Sequence, residues 1–137
     1  MVTVNEKKIL CVGGAVSVDR TLRKEDIDYW SNENFSYQED KLNKVRGDIV
    51  ITHSAPSFCF PQSKSEISEW LKNDLKLDKD ITEERTLHDK LYEKLILNGK
   101  HPSKWIYGHF HHSCRERVEE TEFILLNELE LLEINSF

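Results

Sequence analysis

Apolar and polar positions alternate along this chain in a way that predicts several short strands and one long helix. Apolar runs over residues 9–12, 48–52 and 105–107 predict three strands. The second run is continuously apolar, which is typical of a strand covered on both faces. Leu87, Leu91 and Leu95 recur every four residues and predict a helix over residues 83–98, with Gly99 at its C-terminal cap.

Weaker signals complete the pattern. They predict a short helix over residues 63–71, a charged loop over 72–81, and strands over 115–118, 122–126 and 131–134. The stretch from 21 to 47 is mostly irregular, with packing anchors expected at Trp30, Phe35 and Tyr37. Strands separated by helices and followed by hairpins predict a single α/β domain over residues 1–137, a mixed sheet with flanking helices. The pattern does not fix the order of the strands.

Composition narrows the classes of function. No apolar run reaches the ~20 residues of a membrane span, and the N-terminal residues lack a signal-peptide pattern. The cysteines, Cys11, Cys59 and Cys114, are odd in number and form no CxxC, so we expect reduced thiols and a cytoplasmic location. A net charge of −6 disfavours nucleic-acid binding. A phosphorylated small substrate remains compatible, because a bound divalent metal reverses the local potential.

Histidines follow two of the predicted strands directly. His53 follows the second strand, and His109 and His111 follow the third. Side chains at the C-terminal ends of strands in α/β sheets project into a common crevice. If the third strand continues past Gly108, His109 and His111 point to the same side. Neutral imidazoles bind Zn, Mn, Fe or Co, so these three histidines are predicted metal ligands, the alternative being hydrogen-bonded surface residues.

The other histidines have no such context. His88 lies on the predicted helix and His101 in the loop after it, and both are expected to be solvated. His112 is expected to point away from the site.

Three motifs together resemble the calcineurin-like metallophosphoesterases. The run Gly-Gly-Ala-Val-Ser-Val-Asp-Arg over residues 13–20 matches the Gly-Gly-Ala-x-Ser-x-Asp-Arg segment of the bacterial and phage branch of that family. Thr-His-Ser-Ala-Pro over 52–56 is similar to the family's later histidine block, and Gly-His-Phe-His over 108–111 to its terminal block. Trp30 with Glu33, and Glu84-Arg85, are also similar. The resemblance covers about residues 8–134.

The resemblance implies a hydrolase of phosphomonoesters or phosphodiesters that uses two divalent metal ions. His53 and His109 would ligate one ion and His111 the other. The fold of that family is a sandwich of two sheets flanked by helices, of which this chain would supply the C-terminal half.

The chain also departs from the family pattern. The Asp-x-His, Gly-Asp and Gly-Asn-His blocks, which carry the carboxylate ligands, the asparagine ligand and a histidine that assists the leaving group, do not precede Gly13. Asp19 and Asp48 are the nearest carboxylates in sequence to strand ends, although capping or turn hydrogen bonds are the expected role of both. We therefore expect a partner chain with the N-terminal half, or a homo-oligomer that covers the apolar inner face of the sheet.

Three hypotheses remain open at this point. The first is a metal-dependent phosphatase or phosphodiesterase portion that hydrolyses its substrate only when the missing half is supplied. The second is a non-catalytic oligomerisation or regulatory module that retains the fold and the histidines. The third is a mononuclear zinc site with three histidine ligands. The substrate is not determined by the sequence, and selectivity is expected to lie in the loops over residues 21–47 and 57–82.

Overall fold

A single mixed sheet forms the centre of the molecule. The computed structural model describes residues 1–134. The strands are β1 (Val2–Val4), β2 (Lys7–Val12), β3 (Ile49–Thr52), β4 (Lys104–Tyr107), β5 (Cys114–Val118) and β6 (Thr121–Leu125), in the spatial order β1-β2-β3-β4-β6-β5. The central pairings β2–β3, β3–β4 and β4–β6 are parallel, and the outer pairings β1–β2 and β5–β6 are antiparallel. The α/β class predicted from the sequence is confirmed.

One face of the sheet is covered by helices. The helices are α1 (Glu39–Leu42), α2 (Ser68–Asn73) and α3 (Leu77–Leu97), with 3-10 turns at Arg20–Leu22 and Ser65–Ile67. The apolar side of α3 contributes Leu91 and Leu95 to a core with Val50, Trp105 and Phe123, whose side chains are all buried. Helical spacing places these leucines on one side of α3, and burying them is the main source of stability for that helix.

The opposite face is only partly covered. Ile49, Ile106 and Ile124 are buried there beneath the segment 126–134. Ile51 lies in the same row, opposite Ile106 on β4 and Cys11 on β2, and its side chain is 38% exposed. The prediction that the strand over 48–52 is covered on both faces is therefore wrong at Ile51. A residue's neighbours across the sheet depend on the strand order, which the local pattern does not contain.

The predicted long helix is confirmed, but it begins earlier. It starts at Leu77 instead of residue 83 and ends at Leu97, and Gly99 caps it with φ +98° and an N–H bond to the Ile96 carbonyl at 2.8 Å. The charged loop expected over 72–81 is wrong, because only residues 74–76 separate α2 from α3. Leu77 is fully buried, and acidic residues in the first turn favour a helix start there.

The predictions for the other helix, the later strands and the packing anchors are partly confirmed and partly wrong. The helix over 63–71 corresponds to a 3-10 turn and α2, and the strands over 115–118 and 122–126 are β5 and β6. The strand over 131–134 is wrong, because these residues form no strand and pack Leu132 and Ile134 on the sheet. Phe35 is buried and Tyr37 half-buried, whereas Trp30 is 47% exposed and is not an anchor. Within residues 1–134, no helix has the length and apolar character to cross a membrane.

Candidate functional site

The sheet order brings two of the predicted ligands together. Because β3 and β4 are adjacent and parallel, the residues that follow them meet at one edge of the sheet. The amide of Gly108 donates to the carbonyl of His53 at 3.2 Å, which joins the two strand ends. The imidazole rings of His53 and His109 lie with their centroids 4.6 Å apart. His53 and His109 are therefore neighbours at the C-terminal ends of the central strands.

A tight turn separates His109 from His111. β4 ends at Tyr107, and the amide of Phe110 donates to the Gly108 carbonyl at 2.9 Å with His109 at φ +73°, which is a γ-turn. His111 also has a positive φ of 50°. The strand does not continue, so the condition for a shared direction is not met. His111 Nδ1 lies 2.6 Å from Glu128 Oε1 in the segment that follows β6.

The electrostatics of the pair favour neutral rings. Burial, followed by the nearby His53 and His111, lowers the pKa of His109 to about 4. Burial also lowers the pKa of His53. Unprotonated imidazoles present a lone pair, which is the form that binds metal ions. Within residues 1–134, however, no group of three or more His, Cys, Asp and Glu side chains is arranged to hold an ion. The residues present fit part of a coordination sphere and do not complete one.

Neither candidate carboxylate joins the pair as a ligand. Asp19 lines the same cavity as the histidines, but its Oδ1 accepts a bond from Arg23 Nε at 2.7 Å, and this bond lowers the pKa of Asp19. Asp48 accepts the Lys8 amide at 2.7 Å and pairs with Lys100. It precedes β3, whereas His53 follows that strand, so the two lie at opposite ends of it. Both contacts of the Asp48 side chain join it to residues distant in sequence, so they are not the capping or turn hydrogen bonds expected of it.

The remaining histidines lie outside the pair. The ring of His112 stacks on Phe60 with centroids 4.7 Å apart, and the side chain of His101, 25% exposed, contacts Tyr92 and Glu119. The solvated position expected for His88 is wrong, because that residue is 1% exposed. Its Nδ1 donates to the Glu84 carbonyl at 2.9 Å.

Two charged residues on α3 were not predicted as parts of the site. Glu84 is 5% exposed and accepts the Val16 amide at 2.5 Å, so it joins α3 to the 13–20 segment. Burial raises the pKa of Glu84. Arg85 donates to the carbonyls of Ala55 at 3.2 Å, Pro56 at 2.7 Å, Cys59 at 2.6 Å and Pro61.

Arg85 also reaches the histidine turn. Its guanidinium carbon lies 5.4 Å from the ring centroid of Phe110, between His109 and His111. One buried cation therefore fixes both the loop after β3 and the turn after β4. The sequence held a signal for this cluster. Glu84 and His88 continue the helical spacing of Leu91 and Leu95, so their side chains fall on the face that packs against the sheet.

A cavity of about 820 Å³ opens beside the histidine pair. The 13–20 segment contributes Ser17 and Asp19 to its wall, and α2 and α3 contribute Trp70 and Ile81. The lysine and arginine side chains in the described lining are all engaged within the protein: Arg23 with Asp19, Lys64 with Asp78, and Arg85 with backbone carbonyls. The lining therefore offers a phosphate group few uncommitted positive charges, and a phosphate site here needs a further source of charge.

Comparisons of the chain with protein-family models, with curated proteins and with solved structures found no match. The resemblance to the calcineurin-like metallophosphoesterases therefore depends on the motifs themselves, and the arrangement of His53 and His109 comes from this structure alone.

Proposed function

We propose that this chain is part of a metal-dependent phosphoesterase whose remaining metal ligands come from a polypeptide segment outside these residues. The observation that carries the proposal is the contact of two neutral imidazoles, His53 and His109, beside a cavity. They lie at the ends of adjacent parallel strands, where α/β proteins place their active sites. The three motifs that resemble the metallophosphoesterases support the same function.

The residues of this chain would supply the imidazole side of the site. His53 and His109 would ligate one ion, and His111 a second ion once it leaves Glu128. The ions expected from the resemblance are Mn, Zn, Fe or Co, and when bound they supply the positive charge that attracts and polarises a phosphoester. Arg85 would hold the loop after β3 and the turn after β4 in place.

Neutral imidazoles leave the charge of a divalent ion uncompensated. Asp19 is paired with Arg23, and Asp48 lies at the other end of β3. The carboxylates of a complete site are therefore proposed to come from a partner segment that carries the Asp-x-His, Gly-Asp and Gly-Asn-His blocks. Hydrolysis by this chain would depend on that partner.

Metal titration tests the proposal. Metal-free chain is titrated with Mn²⁺ by calorimetry, alone and after coexpression with a polypeptide carrying the three missing blocks, and hydrolysis of an aryl phosphate is measured in parallel. We expect Mn²⁺ binding that is lost in His109→Ala, and hydrolysis only in the complex. His101→Ala is the matched control, since His101 precedes β4 and lies at the other end of that strand from His109. If no combination binds metal, the proposal is wrong.

A second candidate function is a non-catalytic oligomerisation or regulatory module. The pairing of His111 with Glu128 instead of with His109 favours it. This candidate predicts a protein without bound metal, and no hydrolysis with any partner segment. A mononuclear zinc site instead predicts one tightly bound zinc ion per chain, lost in His53→Ala. The titration separates these outcomes.

A further inference from the structure

We infer that the phosphoester bound here carries a flat aromatic ring on its alcohol side, held by the wall of the cavity formed by α2 and the start of α3. The inference rests on the proposed function and names the substrate class of the same site. Its basis is the juxtaposition of the histidine pair with Ile67, Trp70 and Ile81 in one continuous cavity.

The size of the cavity shows that phosphate alone does not fill it. A cavity of about 820 Å³ falls in the range of sites that enclose organic ligands of drug size, roughly 300–1,000 Å³. A phosphate group occupies on the order of 100 Å³, if each of its atoms takes no more than the share of a water molecule. Most of the space beside His53 and His109 is therefore available to the rest of the substrate.

The chemistry of the wall indicates what that part is. Ile67, Trp70 and Ile81 are half-buried, and they line the cavity from the 3-10 turn before α2, from α2 and from α3. The nearby Lys64 is engaged with Asp78 and Thr82, so its positive charge does not favour an anionic group on the alcohol side of the substrate. Apolar side chains around an indole favour a flat ring, because aromatic stacking adds to the burial of apolar area.

Phe110 lines the same cavity, and its ring centroid lies 5.2 Å from that of His109. That ring lies between His109 and His111 in the chain and is backed by the Arg85 guanidinium at 5.4 Å. The cavity therefore offers an aromatic surface beside the histidine pair in addition to the Trp70 wall. A small aliphatic phosphoester would leave the Trp70 wall without a partner.

Binding of three phosphonates tests the inference without requiring hydrolysis. The affinities of phenylphosphonate, cyclohexylphosphonate and methylphosphonate are measured by calorimetry, with and without Mn²⁺, for the full chain alone and for the chain coexpressed with the polypeptide that carries the three missing blocks. We expect phenylphosphonate to bind about tenfold more tightly than methylphosphonate. It should also bind about threefold more tightly than cyclohexylphosphonate, which has a similar size without a flat ring.

Variants locate the preference for the ring. Trp70→Ala should reduce the ratio of phenylphosphonate to methylphosphonate affinity to near one, and Trp70→Phe should keep most of it. Trp30→Ala should leave the ratio unchanged, since Trp30 is exposed and does not line the cavity. The ratio of the two ligand affinities reports only on folded protein. If Trp70→Ala folds poorly, the comparison of the three ligands on the wild-type protein still tests the inference.

Each outcome bears on one of the two proposals. Equal affinities of the three ligands, a ratio unaffected by Trp70→Ala, or no detectable binding of phenylphosphonate would overturn the inference. A phenyl preference that does not depend on Mn²⁺ supports the ring site and counts against the metal-dependent function. Binding that depends on Mn²⁺ but shows no phenyl preference supports the function and overturns the inference.

Discussion

At the scale of single residues, Arg85 connects more of the site than any histidine does. It is 8% exposed and donates to backbone carbonyls in the loop 55–61, and its guanidinium lies over Phe110. Burial lowers the pKa of Arg85, but an arginine remains charged at any physiological pH. The carbonyls of the loop replace the water that burial removes from around the guanidinium. These carbonyls in turn need Arg85 as their hydrogen-bond donor.

Replacing Arg85 with alanine is expected to destabilise the protein by about 3–5 kcal/mol, because several buried carbonyls lose their donors at once. The free energy of unfolding is measured by urea denaturation. Arg117→Ala on β5 is the control, since Arg117 is exposed and its removal should cost less than about 0.5 kcal/mol. An Arg85→Ala variant as stable as Arg117→Ala would show that the loop does not depend on these bonds.

The residues also show what sequence patterns reveal about chemistry. A local pattern predicts His53 and His109 as site residues: each follows an apolar strand, and this is visible without knowledge of the fold. His88 differs from the expectation that it is solvated, because its spacing from Leu91 and Leu95 places it on the packed side of α3. The contact of His111 with Glu128 joins segments whose proximity depends on the position of β6 beside β4.

At the scale of elements, the 13–20 segment is held by a close backbone approach to Phe35 and by a hydrogen bond to α3. Gly14 has φ +100°, and a Cβ atom there would lie 2.7 Å from the Phe35 amide nitrogen. Next to it, the Val16 amide donates to Glu84, and Arg20 pairs with Asp74 and Asp80 at the junction of α2 and α3. The segment that matches a family motif therefore has a packing role that is independent of any metal.

Gly14→Ala is expected to cost about 3 kcal/mol or more, from the positive φ and from the contact with the backbone of Phe35. Gly13→Ala is the matched control, because a Cβ atom at Gly13 meets nothing within 4 Å. Thermal unfolding of both variants is measured under one condition. Equal melting temperatures would contradict the close approach. A large loss confined to Gly14→Ala confirms that the turn fixes the segment against its neighbours.

The elements differ in how well local patterns predict them. The strands β2, β3 and β4 were predictable because each is a short apolar run bounded by turn residues. The start of α3 was not, because half of residues 77–82 are charged and only the burial of Leu77 shows that the helix extends to them. Similarly, residues 131–134 are apolar enough for a strand, yet they cover the sheet without pairing with it.

At the scale of the whole molecule, the strand order determines the site, and no pattern along the chain specifies that order. With β3 and β4 adjacent, His53 and His109 meet; with another strand between them, their rings would be separated by roughly twice the strand spacing of about 4.8 Å. The same order leaves the row of Cys11 and Ile51 partly uncovered. Whether a partner segment or a second copy covers that row stays a prediction from the sequence.

Burial of histidines also makes global stability depend on pH. Burial lowers the pKa of His53, His88 and His109, so below about pH 6.5 the unfolded chain binds protons that the folded chain does not. Stability that is present above pH 6.5 is therefore lost as the pH falls toward the folded pKa values, which for His109 is about 4. Glu84 has the opposite effect on the pH dependence of stability. Its raised pKa contributes stability at low pH, and this contribution is lost as the pH rises above 4.5.

We therefore expect the free energy of unfolding of metal-free protein to fall between pH 6.5 and 4.5, by up to about 1.4 kcal/mol per pH unit for His88 and for His109. His53 contributes less, because its side chain is exposed to solvent. Carboxylates with lowered pKa values, such as Asp74 beside Arg20, add to the loss only below about pH 4. His88→Leu should make the slope shallower, because leucine fills a similar space and does not titrate. Leu97→Ala, at an exposed position at the end of α3, removes no titrating group and should leave the slope unchanged. Urea denaturation at several pH values, in buffer with a chelator, measures how steeply the free energy of unfolding of each variant depends on pH. A His88→Leu slope equal to that of the wild type would show that His88 is not buried in neutral form.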